Sequence, residues 1–335
     1  MIFTDATGIA IAERLGVRLT HPDRLATPDS AITKAQLIAY YEAVADRMLP
    51  HLARRPLSLV RIPHGSRPFF QKHDTGGFPD AMKRVAIALK ESDRQDHFYI
   101  DDLAGIAAAV QMSTLEFHIW GSHIETLERP DRIVFDIDPD DGLDFGIVRR
   151  AALEIRDTLG AWGLESFAMV TGGKGIHVIA PLRPVNDWPL IKLFCHTFAQ
   201  RLEDNAPERF TANIRKAERQ GRMFVDYLRN ERGATAIAPF STRARPGLPC
   251  AVPVGWDELS TLTGANVFSP EAAAARAAAA DPWPHYFDLT QSITAGMVEA
   301  VAGPLKKTVP GGFKPNLPAP SAPPPPASPS RRRNR

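Results

Sequence analysis

The chain has 335 residues, 44% of them hydrophobic, and its 40 Lys and Arg nearly balance 38 Asp and Glu to leave a formal net charge of +2. This length and composition supply one large or two moderate hydrophobic cores and exclude a disordered or disulfide-stapled chain. The two cysteines, Cys195 and Cys250, form no Cys-x-x-Cys pair or Cys/His cluster, which favours a reducing compartment and argues against a structural zinc site.

The composition of the two ends of the chain indicates its location and its domain organisation. Residues 1–16 include Asp5 and Glu13 and no long apolar run, so we expect no signal peptide, no membrane span and a cytoplasmic protein. Residues 303–335 carry seven Lys or Arg, no acidic residue and ten of the 30 prolines. The pattern predicts one mildly acidic folded domain over residues 1–302 and a flexible, Pro-rich basic tail over residues 303–335.

The first predicted helix carries a candidate phosphate site. Thr33 and Gln36 resemble a capping box that begins a helix ending near Leu52. Lys34 lies in its first turn, where unpaired backbone N–H groups favour an anion, and together with nearby Arg24 it could hold a phosphate. The alternative is that these are two exposed surface charges.

Two adjacent aromatic residues follow a predicted strand at residues 57–62. Phe69 and Phe70 lie in a polar setting before Lys72 and His73. In an extended segment their side chains point to opposite sides, so both cannot enter one core. An exposed Phe could stack on a nucleic-acid base while the basic residues hold the backbone phosphate. The alternative is that the two rings divide between two small cores.

A predicted strand at residues 114–120 carries a candidate histidine. Alternation along the strand places the apolar Leu115 and Phe117 on one face and Glu116 and His118 on the other. A histidine in a strand is either a ligand or a structural residue, and one residue alone does not distinguish the two.

The segment around residues 132–142 brings two carboxylates close together. Apolar neighbours favour a strand, so Asp136 and Asp138 project from the same face. Two such carboxylates repel each other unless one or more cations bind them, and hard divalent ions prefer oxygen ligands. Pro139 ends the strand, which puts the pair at its carboxyl end. The alternative is a solvated acidic turn.

A glycine-rich turn lies between predicted strands at residues 166–170 and 176–180. Its sequence is Thr171-Gly172-Gly173-Lys174-Gly175. A strand-turn-strand excludes a Walker-type P-loop, which leads into a helix. The glycines still allow the backbone to approach a phosphate, Lys174 adds charge and His177 lies just beyond. The alternative is a hairpin with a solvated lysine.

A third aspartate lies in a predicted strand at residues 223–228, after a basic segment at residues 215–222. Asp226 is costly to bury there unless a charge or a ligand compensates it, and Arg229 follows three residues later. A basic loop further along contributes Arg243. The other predicted elements are strands over residues 97–100, 236–240 and 251–254 and helices over residues 101–110, 145–159, 187–202, 256–262, 270–280 and 289–301.

Three aspartates on two strands, a glycine-rich turn and several basic side chains together indicate two-metal phosphoryl or nucleotidyl transfer. Carboxylates bind the ions, while basic side chains and turn amides neutralise charge on a triphosphate. Two other classes stay open. In a phosphohydrolase Asp136 would be the nucleophile, although Asp140 stands where such enzymes carry Thr or Val. A non-catalytic clamp that binds DNA ends would use the same basic loops.

The sequence resembles the primase-like polymerase domain of bacterial end-joining ligase D, in the archaeo-eukaryotic primase superfamily. The similar segments follow the family's order over about residues 10–290 and are the Lys34 helix with Tyr40-Tyr41, Phe69-Phe70-Gln71-Lys72-His73, Leu115-Glu116-Phe117-His118, Phe135-Asp136-Ile137-Asp138-Pro139, Thr171-Gly172-Gly173-Lys174-Gly175-Ile176-His177 and Asp226-Tyr227-Leu228-Arg229-Asn230. The resemblance implies an α/β (α+β) fold, in which mixed and antiparallel sheets flanked by helices carry the catalytic Asp on central strands.

The resemblance also implies an activity and a site. It implies a template-dependent polymerase that adds ribo- or deoxyribonucleotides at DNA gaps and ends during non-homologous end joining, using two divalent cations, Mn²⁺ or Mg²⁺, and a nucleoside triphosphate. The implied catalytic and metal-binding residues are Asp136, Asp138 and Asp226. The implied nucleotide-binding residues are His118, Thr171, Lys174, His177, Arg229 and Arg243. Arg24 and Lys34 would read a recessed 5′ phosphate, and Phe69 and Phe70 would stack near the template.

Some positions depart from the family pattern. Arg24 replaces the more usual Lys, which preserves phosphate binding, but residues 25–28 lack an aromatic residue often found there. Thr171 replaces Ser and keeps the hydroxyl. The implied partners are DNA, a Ku-like end-binding protein and a DNA ligase, in the bacterial nucleoid and with no membrane. The sequence leaves open the preferred nucleotide and metal, the oligomeric state, the role of the tail, and whether the chain stands alone or is a piece of a longer ligase.

Overall fold

The computed structural model describes residues 3–63, 67–90, 93–140 and 142–302. The predicted tail, residues 303–335, lies outside the described residues. The helices are α1 (Asp5–Arg14), α2 (Lys34–Leu52), α3 (Leu103–Gln111), α4 (Phe145–Ala161), α5 (Trp188–Asn205), α6 (Trp256–Leu259), α7 (Pro270–Ala278) and α8 (Ala295–Ala302). The strands are β1 (Leu57–Arg61), β2 (Phe69–Gln71), β3 (Lys83–Lys90), β4 (Asp93–Tyr99), β5 (Thr114–Trp120), β6 (Arg132–Pro139), β7 (Phe167–Val170), β8 (Ile176–Pro181), β9 (Phe210–Thr211), β10 (Met223–Asp226), β11 (Thr235–Ile237) and β12 (Val252–Val254). None of the described helices has the length and apolar character to span a membrane.

The first sheet has the strand order β11-β5-β1-β4-β3, with β2 paired to β1, and its pairings are antiparallel. Helix α2 packs against α1, α3 and α7. Its predicted capping box is confirmed, because the Thr33 hydroxyl accepts from Gln36 N at 3.1 Å and the Gln36 side chain accepts from Thr33 N at 3.1 Å. Tyr41 connects α2 to the sheet: its hydroxyl donates to Leu115 O at 3.1 Å, and its ring lies 5.3 Å from that of Phe117.

The second sheet has the strand order β12-β7-β8-β6-β10-β9. Its pairings are antiparallel apart from the parallel pair β9 and β10. Strand β6 lies inside the sheet, and Phe135 stacks on Phe198 of α5 with 4.5 Å between the ring centroids. Because side chains alternate along a strand, Asp136 and Asp138 lie on the face away from α5. The α+β fold with mixed and antiparallel sheets agrees with the prediction.

Several element boundaries differ from the prediction. The N-cap of α3 is Asp102, one residue after the predicted start. The strand predicted over residues 236–240 ends at Ile237, and Phe240 has a φ of 62°, which no strand residue adopts. The last helix begins at Ala295 and not at residue 289. Neither helix α1 nor strand β3 was predicted from the sequence. Strand β3 is held by its hairpin with β4, and basic residues at both of its ends obscured the apolar pattern.

Candidate active site

A polar cleft of about 320 Å³ is lined by residues from both sheets. The first sheet contributes His118 from β5 and Ile237 from β11, and the second contributes Asp136, Asp138 and His177. The cleft is also lined by six basic residues, which are Lys174, Lys216, Arg219, Arg229, Arg243 and Arg245. Such a concentration of positive charge beside carboxylates suits a polyphosphate bound with cations.

The three predicted aspartates lie on the paired strands β6 and β10. Asp136 is directly opposite Asp226 in the ladder, and Asp138 is opposite Phe224. The Arg229 guanidinium contacts both members of the first pair, at 2.9 Å from Asp226 Oδ2 and 3.5 Å from Asp136 Oδ2. The two carboxylates therefore face a common position that already accommodates a positive charge.

The third carboxylate has a different basic partner. Asp138 Oδ2 accepts from Arg219 Nη1 at 2.6 Å. Arg219 is buried, and its guanidinium lies 4.7 Å from the ring centroid of Phe224. From the sequence, residues 215–222 were described as a basic segment, and the contact of Arg219 with Asp138 was not predicted.

The pKa values of the acidic pair diverge because their surroundings differ. Burial raises the pKa of Asp136, but the contact with His177 and the charge of Arg229 outweigh it and lower that pKa to about 2. Burial raises the pKa of Asp226 above its ordinary value, and Arg229 only partly offsets the burial and the repulsion from Asp136. Burial first, and the charge of Asp136 second, thus disfavour the ionised form of Asp226, and a further cation would offset both effects.

No three His, Cys, Asp or Glu residues within the described part of the chain form a cluster that could hold a metal ion. The donor chemistry nevertheless fits a hard divalent cation, because the three aspartates supply carboxylate oxygens on adjacent strands. Their present counter-charges are Arg229 and Arg219. A divalent cation bound by these aspartates would compete with the two guanidinium groups for the carboxylate oxygens that they now contact.

The glycine-rich turn joins β7 to β8, which confirms the predicted strand-turn-strand. The Thr171 hydroxyl donates to Gly175 O at 2.9 Å, so it closes the turn. Gly172 has a φ of 66°, and a Cβ there would lie 2.8 Å from Cγ of Arg243. Glycine is therefore required by both conformation and packing, and the tight turn exposes Lys174 to the cleft.

A buried carboxylate that we did not predict as a site residue lies behind the cleft. Glu116 Oε2 is 2.8 Å from His118 Nε2 and 3.1 Å from Arg243 Nε. Its presence on the His118 face of the strand was predicted, but the partnership with Arg243 depends on a contact between distant segments. The only local signal was a carboxylate two residues from a histidine in an otherwise apolar strand.

The chain crosses from the second sheet to the first at the edge of the cleft. After β10, a 3₁₀ turn at Leu228–Asn230 leads into β11. The buried Asn230 amide accepts from Val134 N at 2.7 Å and donates to Val134 O at 2.7 Å. These bonds attach the crossing segment to β6, which holds Arg229 beside the aspartates.

Lys34 and Arg24 lie together beside a small pocket of their own. Lys34 is buried, and its Nζ donates to Thr20 O at 2.7 Å and to Gln111 Oε1 at 3.3 Å. Arg24 donates to the Ser113 hydroxyl. The alternative of two exposed surface charges is therefore wrong for Lys34. Burial, together with the charge of Arg24, lowers the pKa of Lys34 to about 8.

The aromatic pair on β2 is exposed. Phe69 is 41% and Phe70 is 45% exposed, so the alternative of two small cores is wrong. The Phe70 ring contacts the His118 ring edge-on, with 5.2 Å between centroids. The exposed aromatic surface therefore adjoins the cleft.

Comparison with known protein families assigns the chain to one of them. The family described as "LigD, primase-polymerase domain" matches residues 33–283. The chain belongs to this family. The resemblance inferred from the motifs is thus confirmed, and the LigD primase-polymerase core includes all of the cleft-lining residues.

Relatives in this family are longer proteins. The chain is 38% identical over 297 residues to the multifunctional non-homologous end joining protein LigD of Pseudomonas aeruginosa, a match that covers 87% of this chain and 35% of that protein. It is 31% identical over 253 residues to the bifunctional non-homologous end joining protein LigD of Bacillus subtilis, covering 74% of this chain and 40% of that one. The chain therefore spans well under half the length of these relatives.

A solved LigD structure shares the fold. It is the polymerase domain of Mycobacterium tuberculosis ligase D in complex with DNA, with a TM-score of 0.73 and 30% sequence identity. The match covers 81% of this chain and 97% of that one. The present fold is thus that of a LigD polymerase domain.

Proposed function

We propose that the protein is a template-dependent nucleotidyltransferase that adds ribo- or deoxyribonucleotides at DNA gaps and ends during non-homologous end joining. The observation that carries the proposal is the cleft itself, where Asp136 and Asp138 meet six basic side chains in a chain of the LigD primase-polymerase family. Acidic residues alone would suit a cation site, but the added positive charge suits a triphosphate.

The residues have separate roles in this proposal. Asp136, Asp138 and Asp226 would hold two divalent cations, Mn²⁺ or Mg²⁺, which when bound activate an attacking hydroxyl and stabilise the leaving phosphate oxygens. Lys174, within the glycine-rich turn, and Arg243, which donates to Thr171 O of that turn, would neutralise the triphosphate.

The remaining predicted nucleotide residues line the same cleft. His118 and His177 lie on different sheets, so a nucleotide between them would contact both. Arg229, once displaced from the aspartates, would be within the cleft to pair with phosphate. Thr171 would act through the shape of the turn, since its hydroxyl already donates to Gly175.

The test is primer extension on a gapped duplex with a 5′ phosphate, run with ribo- and deoxyribonucleotides and with Mg²⁺ and Mn²⁺ in turn. We expect metal-dependent, template-directed addition. A phosphohydrolase would instead release phosphate without extending the primer, and a DNA-end binding module would bind the duplex without either reaction. A Ku-like protein and a DNA ligase are proposed partners, in the cytoplasm, because the matched relatives are end joining proteins.

We expect the paired basic residues Arg24 and Lys34 to determine the preference for a 5′-phosphorylated gap. Replacing both with alanine should reduce that preference by about tenfold or more, because charge-assisted hydrogen bonds contribute about 1.5–3 kcal/mol. Binding is measured by anisotropy on matched duplexes with and without the phosphate. Arg14→Ala, at an exposed surface residue, is the control. Equal loss on both duplexes would show that the pair supplies only general charge.

The same site predicts a pH dependence. Since the pKa of Lys34 is about 8 in the free protein and a bound phosphate raises it, affinity for the 5′-phosphorylated end should fall as pH rises above about 8. Lys34→Met should remove most of this dependence. A pH series of binding from 7 to 9.5 measures it, and an unchanged slope in Lys34→Met would contradict the assignment.

We expect the basic tail to add DNA affinity without changing the chemistry. Deleting residues 303–335 removes seven positive charges and should weaken DNA binding, with a salt slope reduced by up to about 4 if the final arginine cluster contacts phosphates. Turnover on saturating DNA should be unchanged. Binding across a salt series for full-length and truncated protein decides this, and identical slopes would leave the tail as a spacer.

A further inference from the structure

Glu116 occupies a buried position between two cleft-lining side chains. It is 6% exposed, and both of its carboxylate oxygens accept hydrogen bonds. His118 Nε2 lies 2.8 Å from Oε2, and the Ala244 amide donates to Oε1 at 2.8 Å. Arg243 Nε approaches Oε2 to 3.1 Å. One carboxylate thus connects strand β5 to the loop that follows β11.

The contact with Glu116 determines the hydrogen placement on His118. A carboxylate only accepts, so Nε2 must carry the hydrogen and Nδ1 carries the lone pair while the ring is neutral. Burial lowers the pKa of His118 below its ordinary value, and the contact with Glu116 only partly offsets it, so neutral imidazole is the main form near pH 7. Without an acceptor at Glu116, the ring could adopt either tautomer or rotate.

The ion pair with Glu116 also helps to orient Arg243. Its Nε lies on Glu116, while its Nη1 donates to Thr171 O at 2.9 Å. The guanidinium is therefore held between strand β5 and the glycine-rich turn. A long, flexible cation confined in this way loses less rotamer freedom when a phosphate binds, which favours affinity.

We propose that Glu116 is a positioning residue that holds His118 in one tautomer and Arg243 in one direction, so that the cleft is preorganised for the nucleoside triphosphate. The inference rests on the proposed nucleotidyl transfer and assigns a role to a residue behind the cleft. Glu116 acts through its two neighbours and does not contact the substrate.

The carboxylate is suited to this role at every pH of interest. Although burial raises its pKa, the hydrogen bond from His118 and the charge of Arg243 lower the pKa of Glu116 to about 2. The side chain is therefore ionised throughout the neutral range. Glutamine at this position keeps the shape but loses the charge, and its NH₂ group can donate where only an acceptor fits.

The test compares Glu116→Gln with Glu154→Gln, which removes a surface carboxylate paired with Arg209. We expect Glu116→Gln to raise the nucleotide KM by about tenfold and to lower kcat less, because preorganisation of binding is lost. Glu154→Gln should leave both constants unchanged. Imidazole ¹⁵N shifts should show the Nε2–H tautomer of His118 in the parent protein and a mixture in Glu116→Gln.

A double-mutant cycle separates positioning from a general structural effect. If Glu116 acts through His118, the effect of Glu116→Gln on KM should shrink in a His118→Asn background, whereas independent damage would add. Melting temperatures identify any variant that is not folded. Glu116→Asp keeps the charge, so its affinity for the nucleotide should lie between those of Glu116→Gln and the parent protein. An unchanged KM and an unchanged His118 tautomer in folded Glu116→Gln would overturn the inference.

Failure of the proposed nucleotidyl transfer can be distinguished from failure of the Glu116 proposal. If the parent protein extends no primer under any metal or nucleotide, nucleotidyl transfer is wrong. The affinity for ATP with Mn²⁺, measured by calorimetry without DNA, then still tests Glu116. Weaker binding by Glu116→Gln would support the positioning role, and equal binding would exclude it.

Discussion

Asp138→Ala is expected to lower nucleotide addition by at least about a thousandfold while leaving the fold and duplex binding intact. The change removes one of three carboxylates from the proposed cation site, and a bound metal contributes several kcal/mol of transition-state stabilisation, each ~1.4 kcal/mol being tenfold in rate. It relieves carboxylate repulsion but leaves the buried Arg219 guanidinium without its ion pair, so we expect a modest loss of stability and a folded protein. Single-turnover extension on a gapped duplex, together with the melting temperature and duplex affinity, measures the effect.

Two further variants isolate the cause. Asp138→Asn keeps an acceptor for Arg219, which now donates to Asp138 Oδ2 at 2.6 Å, and should be as inactive as Asp138→Ala if charge is what matters. Asp157→Ala removes an exposed carboxylate on α4 that pairs with its neighbour Arg156, and should retain activity. Extension by a folded Asp138→Ala protein would disprove the assignment of this residue to the metal site.

Gly175→Ala should damage both stability and activity through a backbone clash. An added Cβ would lie 2.4 Å from Ile137 O and 3.3 Å from Asp136 Oδ1, so β6 and β8 cannot keep their spacing. Gly175 is not among the glycines with positive φ, and alanine is therefore excluded by space and not by conformation. We expect a loss of about 1–3 kcal/mol in the free energy of unfolding and about a hundredfold in activity, because Asp136 moves with its strand.

Gly160→Ala is the matched control for this change. Gly160 lies in the last turn of α4, one residue before its end, and a Cβ there meets nothing within 4 Å. Alanine is a better helix former than glycine by up to about 1 kcal/mol, so this variant should be as stable as the parent protein or slightly more stable, and fully active. Denaturant unfolding and extension assays on both variants test the pair. Normal stability and activity in Gly175→Ala would show that the close contact between Gly175 and Ile137 O is not needed to position Asp136.

The parts of the site that could be predicted are those encoded by local pattern. Alternation along β6 sufficed to put Asp136 and Asp138 on one face, and three glycines around Lys174 sufficed for a tight turn between strands. The same rule predicted that Phe69 and Phe70 cannot both enter one core, but it left open a split between two small cores, and only the structure shows that both rings are exposed.

The pairings between distant segments could not be predicted. Glu116 and Arg243 meet only after β5 and the loop beyond β11 come together, and no local periodicity reports that approach. Burial of Lys34 likewise depends on Thr20 and Gln111, which belong to separate elements. In both cases the sequence shows the charge, while tertiary contacts decide whether it is solvated.

The attachment of Asn230 to β6 has a mechanical consequence. The chain passes between the two walls of the cleft three times, from β5 to β6, from β10 to β11 and from β11 to β12. At the short second crossing, the buried Asn230 amide attaches the chain to Val134 with two 2.7 Å hydrogen bonds. A hinge at this crossing would have to break both bonds in a dry environment, which costs about 1–3 kcal/mol for each group left unsatisfied. The walls therefore behave as one stiff frame, and adjustment to an incoming substrate falls to the side chains and loops along the rim.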